Sequence, residues 1–169
     1  DWVSPSPNLA TIKAAMLYPA LCWLEPTPVS LGRGTDSAFT IVGAPWLSPS
    51  DTYCVEQFCA TTTSFTPHSL PGKSTHPKFP NKTCQGYWFA DASNDSKTLF
   101  LMGINLFKEA YRQSGYRAAF FQKNFERWTG YAEFRNQIMG DEPAEAIYQS
   151  WQLGVSRFKE MRSGYLLYE

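Results

Sequence analysis

Hydrophobic and polar residues follow different patterns in the two halves of the 169-residue chain. Residues 1–96 hold every proline except Pro143 and most of the serines and threonines, which is typical of strands joined by long loops. Residues 97–169 carry apolar positions near helical spacing with charges between them. The pattern predicts an α+β fold, in which helices pack on a mixed sheet and the C-terminal half is mainly helical, as a single domain over residues 1–169.

The first half contains signals for two short helices, several strands and two loops. Thr11 is suited to cap a helix over residues 11–18, and Pro19 is expected to end it. A second helix, capped at Ser50-Asp51, is predicted to run to Cys59. The predicted strands are 21–24, 38–42, 61–65 and 85–90, and the predicted loops are 30–35 and 67–82.

The second half contains three helical segments. The first covers residues 97–114 and ends before Gly115, and the second covers 124–139 and is interrupted at Gly130. The third covers 143–162, with an apolar stripe formed by Ile147, Trp151, Val155 and Phe158. A last strand is predicted over residues 165–168.

Charge and composition exclude several classes of function. The chain has 15 basic and 15 acidic residues, so its formal net charge is zero. A neutral chain does not favour nucleic-acid binding held by charge or a polybasic membrane anchor. The longest apolar run, residues 14–24, is interrupted by Pro19 and is shorter than the roughly 20 residues that cross a bilayer. Because Asp1 is not preceded by Met, we expect a processed product or an excised domain.

The four cysteines leave two interpretations open. Their spacing fits no zinc-binding pattern, so no metal and no cofactor is predicted. Free cysteines are typically small core residues, whereas a Cys54–Cys59 bridge would form in an oxidising compartment. The four residues are Cys22, Cys54, Cys59 and Cys84.

The loop around Arg33 is the strongest candidate for a ligand site. Gly32 and Gly34 flank the arginine, and glycines allow sharp turns and close approach of the backbone to another group. A guanidinium binds carboxylates through two parallel hydrogen bonds. The alternative is a structural role, in which Arg33 pairs with Glu25 or Asp36 and fixes the loop. The hydroxyls of Ser30 and Thr35 lie in the same segment.

Two further residues are candidates for ligand contacts. Asn8 follows the extended segment 4–7 and offers both donors and an acceptor, although it is also suited to cap the next helix. Trp46 follows a glycine turn and has a face on which a sugar ring stacks, although tryptophan is also a common core residue.

The order of these motifs resembles the C-terminal domain of the NamZ-type exo-β-N-acetylmuramidases. Where that family has Glu-Gly-Thr-Asn, this chain has Glu25-Pro26-Thr27-Pro28, and Pro26 cannot adopt a glycine-like backbone. The residues that carry the resemblance are Ser4-Pro5-Ser6-Pro7-Asn8, Tyr18-Pro19, Glu25, Ser30, Gly32-Arg33-Gly34-Thr35-Asp36, Phe39, Gly43-Ala44-Pro45-Trp46, Phe65, Pro67, Cys84, Gly86, Trp128, Gly130 and Tyr165-Leu166-Leu167-Tyr168.

The resemblance implies a hydrolase that acts on peptidoglycan in cell wall recycling. Family members remove N-acetylmuramic acid from the non-reducing end of peptidoglycan fragments. They place a Rossmann-like domain before this one, with the cleft between the two. The expected partners are therefore muropeptides and an upstream domain. The expected location is periplasmic or extracellular, with the cytoplasm as the alternative.

The resemblance also assigns expected roles to single residues. Glu25 becomes the candidate catalytic carboxylate of this chain, although the family's catalytic carboxylate is thought to lie in the upstream domain, and the isolated chain is expected to be inactive. The alternative function is a non-catalytic carbohydrate-binding or protein-interaction module. The candidate substrate-binding residues are Asn8, Ser30, Arg33, Gly34, Thr35, Asp36 and Trp46.

Overall fold

The α+β class is confirmed by the computed structural model, which describes residues 2–50, 52–55, 58–115 and 118–168. Its helices are α1 (Ile12–Leu21), α2 (Ser96–Gln113), α3 (Phe125–Thr129), α4 (Glu133–Met139) and α5 (Ala144–Ser163). Its strands are β1 (Ile41–Ala44), β2 (Thr52–Val55), β3 (Phe58–Phe65) and β4 (Cys84–Trp88). Two 3₁₀ turns cover Cys22–Leu24 and Ala118–Phe120.

The four strands form one sheet in the order β1-β4-β3-β2. All three neighbouring pairs are antiparallel, so the prediction of a mixed sheet is wrong. The predicted last strand over residues 165–168 is also wrong. This segment follows α5 as an exposed tail, and the long helix carries it away from the sheet.

The region around Pro19 is helical, where the sequence predicts a helix end and a strand. Thr11 caps α1 as predicted, since its hydroxyl accepts a hydrogen bond from the Ala14 N–H at 3.1 Å. The helix then continues through Pro19 to Leu21, and residues 22–24 form a 3₁₀ turn. Proline removes one helical hydrogen bond, but the helix buries Leu17 and Leu21 completely, and this burial outweighs the loss.

A disulfide-linked hairpin replaces the helix predicted over residues 50–59. Cys54 of β2 lies directly opposite Cys59 of β3, and the two are bridged. Asp51, the predicted cap, lies outside the described residues. Tyr53 favours the extended conformation here because its ring packs against Tyr87 and its hydroxyl donates to the Met102 carbonyl at 3.2 Å. Cys22 and Cys84 are free thiols.

Helix α2 confirms the helix predicted over residues 97–114, and the structure places it at the centre of the core. It crosses α1 closely at Gly103, where an added Cβ would lie 2.2 Å from the Ala20 carbonyl oxygen. On another side, α2 packs against the short helices α3 and α4, which are separated at Gly130 as predicted. Phe107 forms ring contacts at 5.4–6.0 Å with Phe120, Phe121, Phe125 and Phe134.

Helix α5 is the longest helix among the described residues, and only its beginning packs on the domain. Ile147 is fully buried and Trp151 is partly buried. By contrast, Val155 and Phe158 of the same predicted stripe are 39% and 55% exposed. No helix in the described part of the chain has the length and apolar character needed to span a membrane.

Candidate functional site

The backbone of the Arg33 loop is held by the chain itself. Gly32 and Gly34 both have left-handed conformations, with φ of +73° and +85°. An added Cβ would lie 2.9 Å from the Ser37 carbonyl oxygen at Gly32 and 2.6 Å from the His68 carbonyl oxygen at Gly34. The glycines are therefore required by the internal packing of the loop, rather than by close approach of a ligand.

The hydroxyls of Ser30 and Thr35 also stabilise this loop from within. Ser30 is buried, and its hydroxyl accepts a hydrogen bond from the Gly32 N–H at 3.2 Å. The Thr35 hydroxyl donates to the Gly32 carbonyl at 2.7 Å and accepts from the Ser37 N–H at 3.1 Å. Both side chains, predicted to contact a ligand, already have partners in the loop.

Glu25 and Arg33 form an ion pair that presents the guanidinium at the surface. The Glu25 Oε1 atom lies 2.8 Å from both Nε and Nη2 of Arg33. The Arg33 side chain is 36% exposed and that of Glu25 is 14% exposed. The guanidinium also lies 4.9 Å from the centre of the Phe39 ring. One edge of Arg33 is thus fixed by Glu25, and the Nη1 side has no polar partner among the described residues.

Lys78 binds the backbone of the turn that carries Glu25. This role of Lys78 was not predicted from the sequence. Its ammonium donates to the carbonyls of Leu24, Glu25 and Val29 at 3.2, 2.7 and 2.8 Å. These contacts hold the turn that carries Glu25. Burial is the main cause that lowers the pKa of Lys78 to about 8; Glu25 opposes this shift, and Arg33 contributes to it. A lysine between Pro77 and Phe79 in a proline-rich loop gives only a weak sequence signal for burial.

The buried ammonium of Lys78 is expected to make stability increase with pH above about 8. Its pKa is about 8 in the folded state and near the ordinary 10.5 in the unfolded chain, so between these values the unfolded state binds more protons. By about pH 10, the free energy of unfolding should gain about 2–3 kcal/mol from this group. Urea unfolding of wild type and Lys78→Met at about pH 7 and about pH 10 measures this gain as a change in their difference.

Lys159→Met is the matched control, because it removes a lysine from an exposed part of α5. Its difference from wild type should be the same at both pH values. A constant difference between wild type and Lys78→Met would contradict a buried charge at position 78.

A second polar region lies beside Asn8. A cavity of about 170 Å³ is lined by Asn8, Thr35, Asp36 and Lys73, among others. Asn8 is 7% exposed; its amide nitrogen donates to the Lys73 carbonyl at 2.9 Å, and its Oδ1 atom is buried with no partner in the described part of the chain. The Lys73 ammonium pairs with Asp36 at 2.7 Å, and this hydrogen bond lowers the Asp36 pKa.

The remaining candidate, Trp46, lines a different cavity from the one beside Asn8. Trp46 packs against the core and lines another cavity, of about 310 Å³, together with Pro28 and Phe120.

Cys22, three residues before Glu25, carries a free thiol. Burial, followed by the charge of Glu25, raises the Cys22 pKa to about 11, so the thiol stays protonated at neutral pH. It is therefore not an activated nucleophile.

The fold and these contacts define an α+β domain with a loop that carries two ion pairs, Glu25–Arg33 and Asp36–Lys73. The arrangement suits recognition of an anionic group by Arg33. In the second region, Asn8 contacts Lys73, and Lys73 contacts Asp36. Glycoside hydrolysis generally uses two carboxyl groups that flank the scissile bond. Here Glu25 and Asp36 are each paired with a cation, Arg33 and Lys73 respectively.

Comparison with known proteins shows the family of this chain. The family described as exo-beta-N-acetylmuramidase NamZ, C-terminal, matches residues 16–168. The chain therefore belongs to the NamZ family and corresponds to its C-terminal part, which confirms the resemblance seen in the sequence.

Relatives and solved structures agree with this assignment. The chain is 25% identical over 174 aligned positions to the peptidoglycan beta-N-acetylmuramidase NamZ of Bacillus subtilis, covering 99% of this chain and 40% of that protein. It is 36% identical to a DUF1343 family protein from Bacteroides fragilis, with a TM-score of 0.81 and coverage of 98% and 44%. A second such protein, 17% identical with a TM-score of 0.72 and coverage of 100% and 46%, shares the fold. The chain thus spans less than half the length of these proteins.

Proposed function

We propose that this chain is the substrate-binding, cleft-forming part of an exo-β-N-acetylmuramidase that releases N-acetylmuramic acid from the non-reducing ends of peptidoglycan fragments. Membership of the NamZ family carries the proposal. The B. subtilis relative is a peptidoglycan beta-N-acetylmuramidase, and more than half of its length lies outside the matched region. The catalytic carboxyl pair is accordingly assigned, at least in part, to a domain that precedes this one.

The Glu25–Arg33 pair supports binding of N-acetylmuramic acid in particular. This sugar differs from N-acetylglucosamine by a lactyl ether, which ends in a carboxylate. Glu25 engages the Nε and Nη2 atoms of Arg33 through one oxygen, which leaves the Nη1 side of an exposed guanidinium for a second carboxylate. Glu25 is in this view a positioning residue for Arg33, and its predicted catalytic role stays a prediction.

The orphaned acceptor of Asn8 supports a hydroxylated or amide-containing ligand. A buried polar atom without a hydrogen bond costs free energy, so a ligand that donates to Asn8 Oδ1 removes that cost on binding. Sugar hydroxyls and the acetamido N–H are such donors. The Cys54–Cys59 disulfide supports a periplasmic or extracellular location, since disulfides persist in oxidising compartments.

The function is tested by the ligand selectivity of the 169-residue chain. We expect isothermal titration to show binding of fragments that end in N-acetylmuramic acid. Binding of fragments that end in N-acetylglucosamine should be at least about tenfold weaker, because they lack the charge-assisted contact to Arg33. Equal affinity for the two ends would contradict recognition of the lactyl carboxylate.

The second candidate, a non-catalytic carbohydrate-binding module, is favoured by the paired state of both Glu25 and Asp36. The chain alone is expected to release no sugar from a chromogenic N-acetylmuramide under either function. A longer polypeptide that contains this chain and hydrolyses the same substrate supports the muramidase, and one that binds without turnover supports the module. Turnover by the 169-residue chain itself, lost in Glu25→Gln, would contradict both and make Glu25 the acid.

A further inference from the structure

The second half of α5 and the tail after it form an apolar surface that the domain does not use. Every residue from Leu153 to Tyr168 is exposed. Eight large hydrophobic residues lie within this stretch: Leu153, Val155, Phe158, Met161, Tyr165, Leu166, Leu167 and Tyr168. We refer to residues 153–168 as the α5 extension. Contiguous exposed apolar surface of this kind marks an interaction site in soluble proteins.

The second half of α5 gains little stability from packing on the domain. About half of α5 projects beyond the last residue that packs on the domain, Trp151. An isolated helix of fewer than ~12 residues is marginal in water, because most helical stability in proteins comes from packing of an apolar face. In the part from Leu153 to Ser163 every residue is exposed, and of these residues Gly154 and Val155 line a cavity of the domain.

A cavity continues this apolar surface towards the candidate site. It has a volume of about 380 Å³, and its lining includes Trp23, Tyr131, Trp151 and Val155. The indole N–H of Trp151 is buried there and has no acceptor in the described part of the chain. Trp23 stands two residues before Glu25, so a body that fills this cavity lies beside the turn that carries the Glu25–Arg33 pair.

The geometry points to the α5 extension and this cavity as the docking surface for the N-terminal remainder of a longer polypeptide of this family. Two observations favour this occupant over a second copy of the chain. The matched family region is described as C-terminal, and the relatives have more than half of their length outside the region that this chain covers. Each of those proteins therefore carries, in the same polypeptide, a further segment at least as long as this chain that is able to cover the surface.

The surface also defines the chemistry of its partner. The partner needs an apolar concave face for Phe158 and the tail, and a hydrogen-bond acceptor for the Trp151 indole. Between the apolar residues, the helix carries Arg157, Lys159 and Arg162 against one Glu160, so the partner's rim is expected to be acidic. The inference rests on the proposed function in one respect, which is that this chain belongs to a longer protein. It does not depend on whether that protein hydrolyses peptidoglycan fragments.

Hydrogen exchange tests the docking surface without any substrate. We compare the 169-residue chain with the longer polypeptide encoded by the same gene, and follow the amides of residues 155–163. Exchange of these amides should be at least about tenfold slower in the longer polypeptide, because docking removes local fraying of the helix. Unchanged exchange in the longer polypeptide, or the absence of any longer polypeptide, would overturn the inference.

Two pairs of substitutions separate docking from a general loss of stability. Phe158→Ser with Met161→Ser, which share one face of the helix at i, i+3 spacing, should restore fast exchange in the longer polypeptide while leaving the thermal midpoint of the 169-residue chain unchanged. The control pair, Arg157→Ser with Lys159→Ser, alters charges of the same stretch and should leave the slow exchange in place. Fast exchange with both pairs would overturn the role of the apolar face.

The alternative occupants give different results in the same experiments. Light scattering should show the 169-residue chain as a monomer or a weak, concentration-dependent associate. A stable dimer that the Phe158→Ser, Met161→Ser pair dissociates would assign the surface to a second copy. Sedimentation with anionic lipid vesicles that the same pair abolishes would assign it to a membrane. Either result would overturn the inference, whereas loss of muramidase activity alone would leave the exchange result and the docking intact.

Discussion

Replacing Gly86 with alanine is expected to destabilise the native fold of this chain severely. Gly86 of β4 lies directly opposite Gly43 of β1, and the two strands approach closely there. An added Cβ would lie 1.8 Å from the Val42 carbonyl oxygen and 2.6 Å from the Gly43 Cα atom. Both are backbone atoms of a paired strand, so no side-chain rotation relieves the overlap and the ladder between β1 and β4 must open.

The expected cost of Gly86→Ala exceeds the usual range for overpacking. Inserting a methyl group into a packed core typically costs about 1–3 kcal/mol, and separation of two strands adds lost hydrogen bonds. We expect a loss of at least about 4 kcal/mol, against a typical total stability of about 5–15 kcal/mol. Circular dichroism with urea unfolding measures this directly.

Gly154→Ala is the matched control for this substitution. Gly154 lies inside α5, and no atom is within 4 Å of an added Cβ. Alanine favours a helix over glycine by up to about 1 kcal/mol, so this variant should unfold at the same or a slightly higher urea concentration than wild type. A Gly86→Ala variant as stable as Gly154→Ala would contradict the close approach of β1 and β4.

Arg33→Lys is expected to weaken binding of N-acetylmuramic acid by about tenfold or more. A charge-assisted hydrogen bond contributes about 1.5–3 kcal/mol, and about 1.4 kcal/mol corresponds to a factor of ten in affinity. Lysine retains the charge, but its point-like ammonium lacks the planar fork that contacts Glu25 on one side and a ligand carboxylate on the other. The variant should fold normally, because Arg33 is partly exposed and its backbone loop is held by the chain. Isothermal titration measures the affinity, and circular dichroism checks the fold.

A double-mutant cycle with Glu25 tests how the pair acts. If Glu25 positions Arg33, Glu25→Gln should itself weaken binding, and Arg33→Lys should then cost less in the Glu25→Gln background. Strictly additive losses would show that the two residues act independently. In the longer polypeptide, Glu25→Gln with normal binding and no turnover would instead support the catalytic role that the sequence predicts for this carboxylate. Normal binding by Arg33→Lys would return Arg33 to a purely structural role.

Local rules predicted the parts of the fold that depend on a few neighbouring residues. The Thr11 cap, the break at Gly130 and the long helix starting after Pro143 follow from signals within one or two helical turns, and the structure confirms all three. The hairpin of β2 and β3 was mistaken for a helix. Its extended conformation depends on Tyr53, whose contacts with Tyr87 and Met102 are 34 and 49 residues away in the sequence.

By itself, the sequence determined the α+β class, most element positions, the turn at Gly32-Arg33-Gly34 and, through its motif order, the family. Only the tertiary structure selected Glu25 rather than Asp36 as the partner of Arg33, because Lys73 occupies Asp36. It also brought Lys78 under the turn at Glu25, about fifty residues away, and showed that Pro19 lies within a helix. These outcomes depend on burial and on competition between distant partners, and neither of these is encoded in the spacing of neighbouring residues.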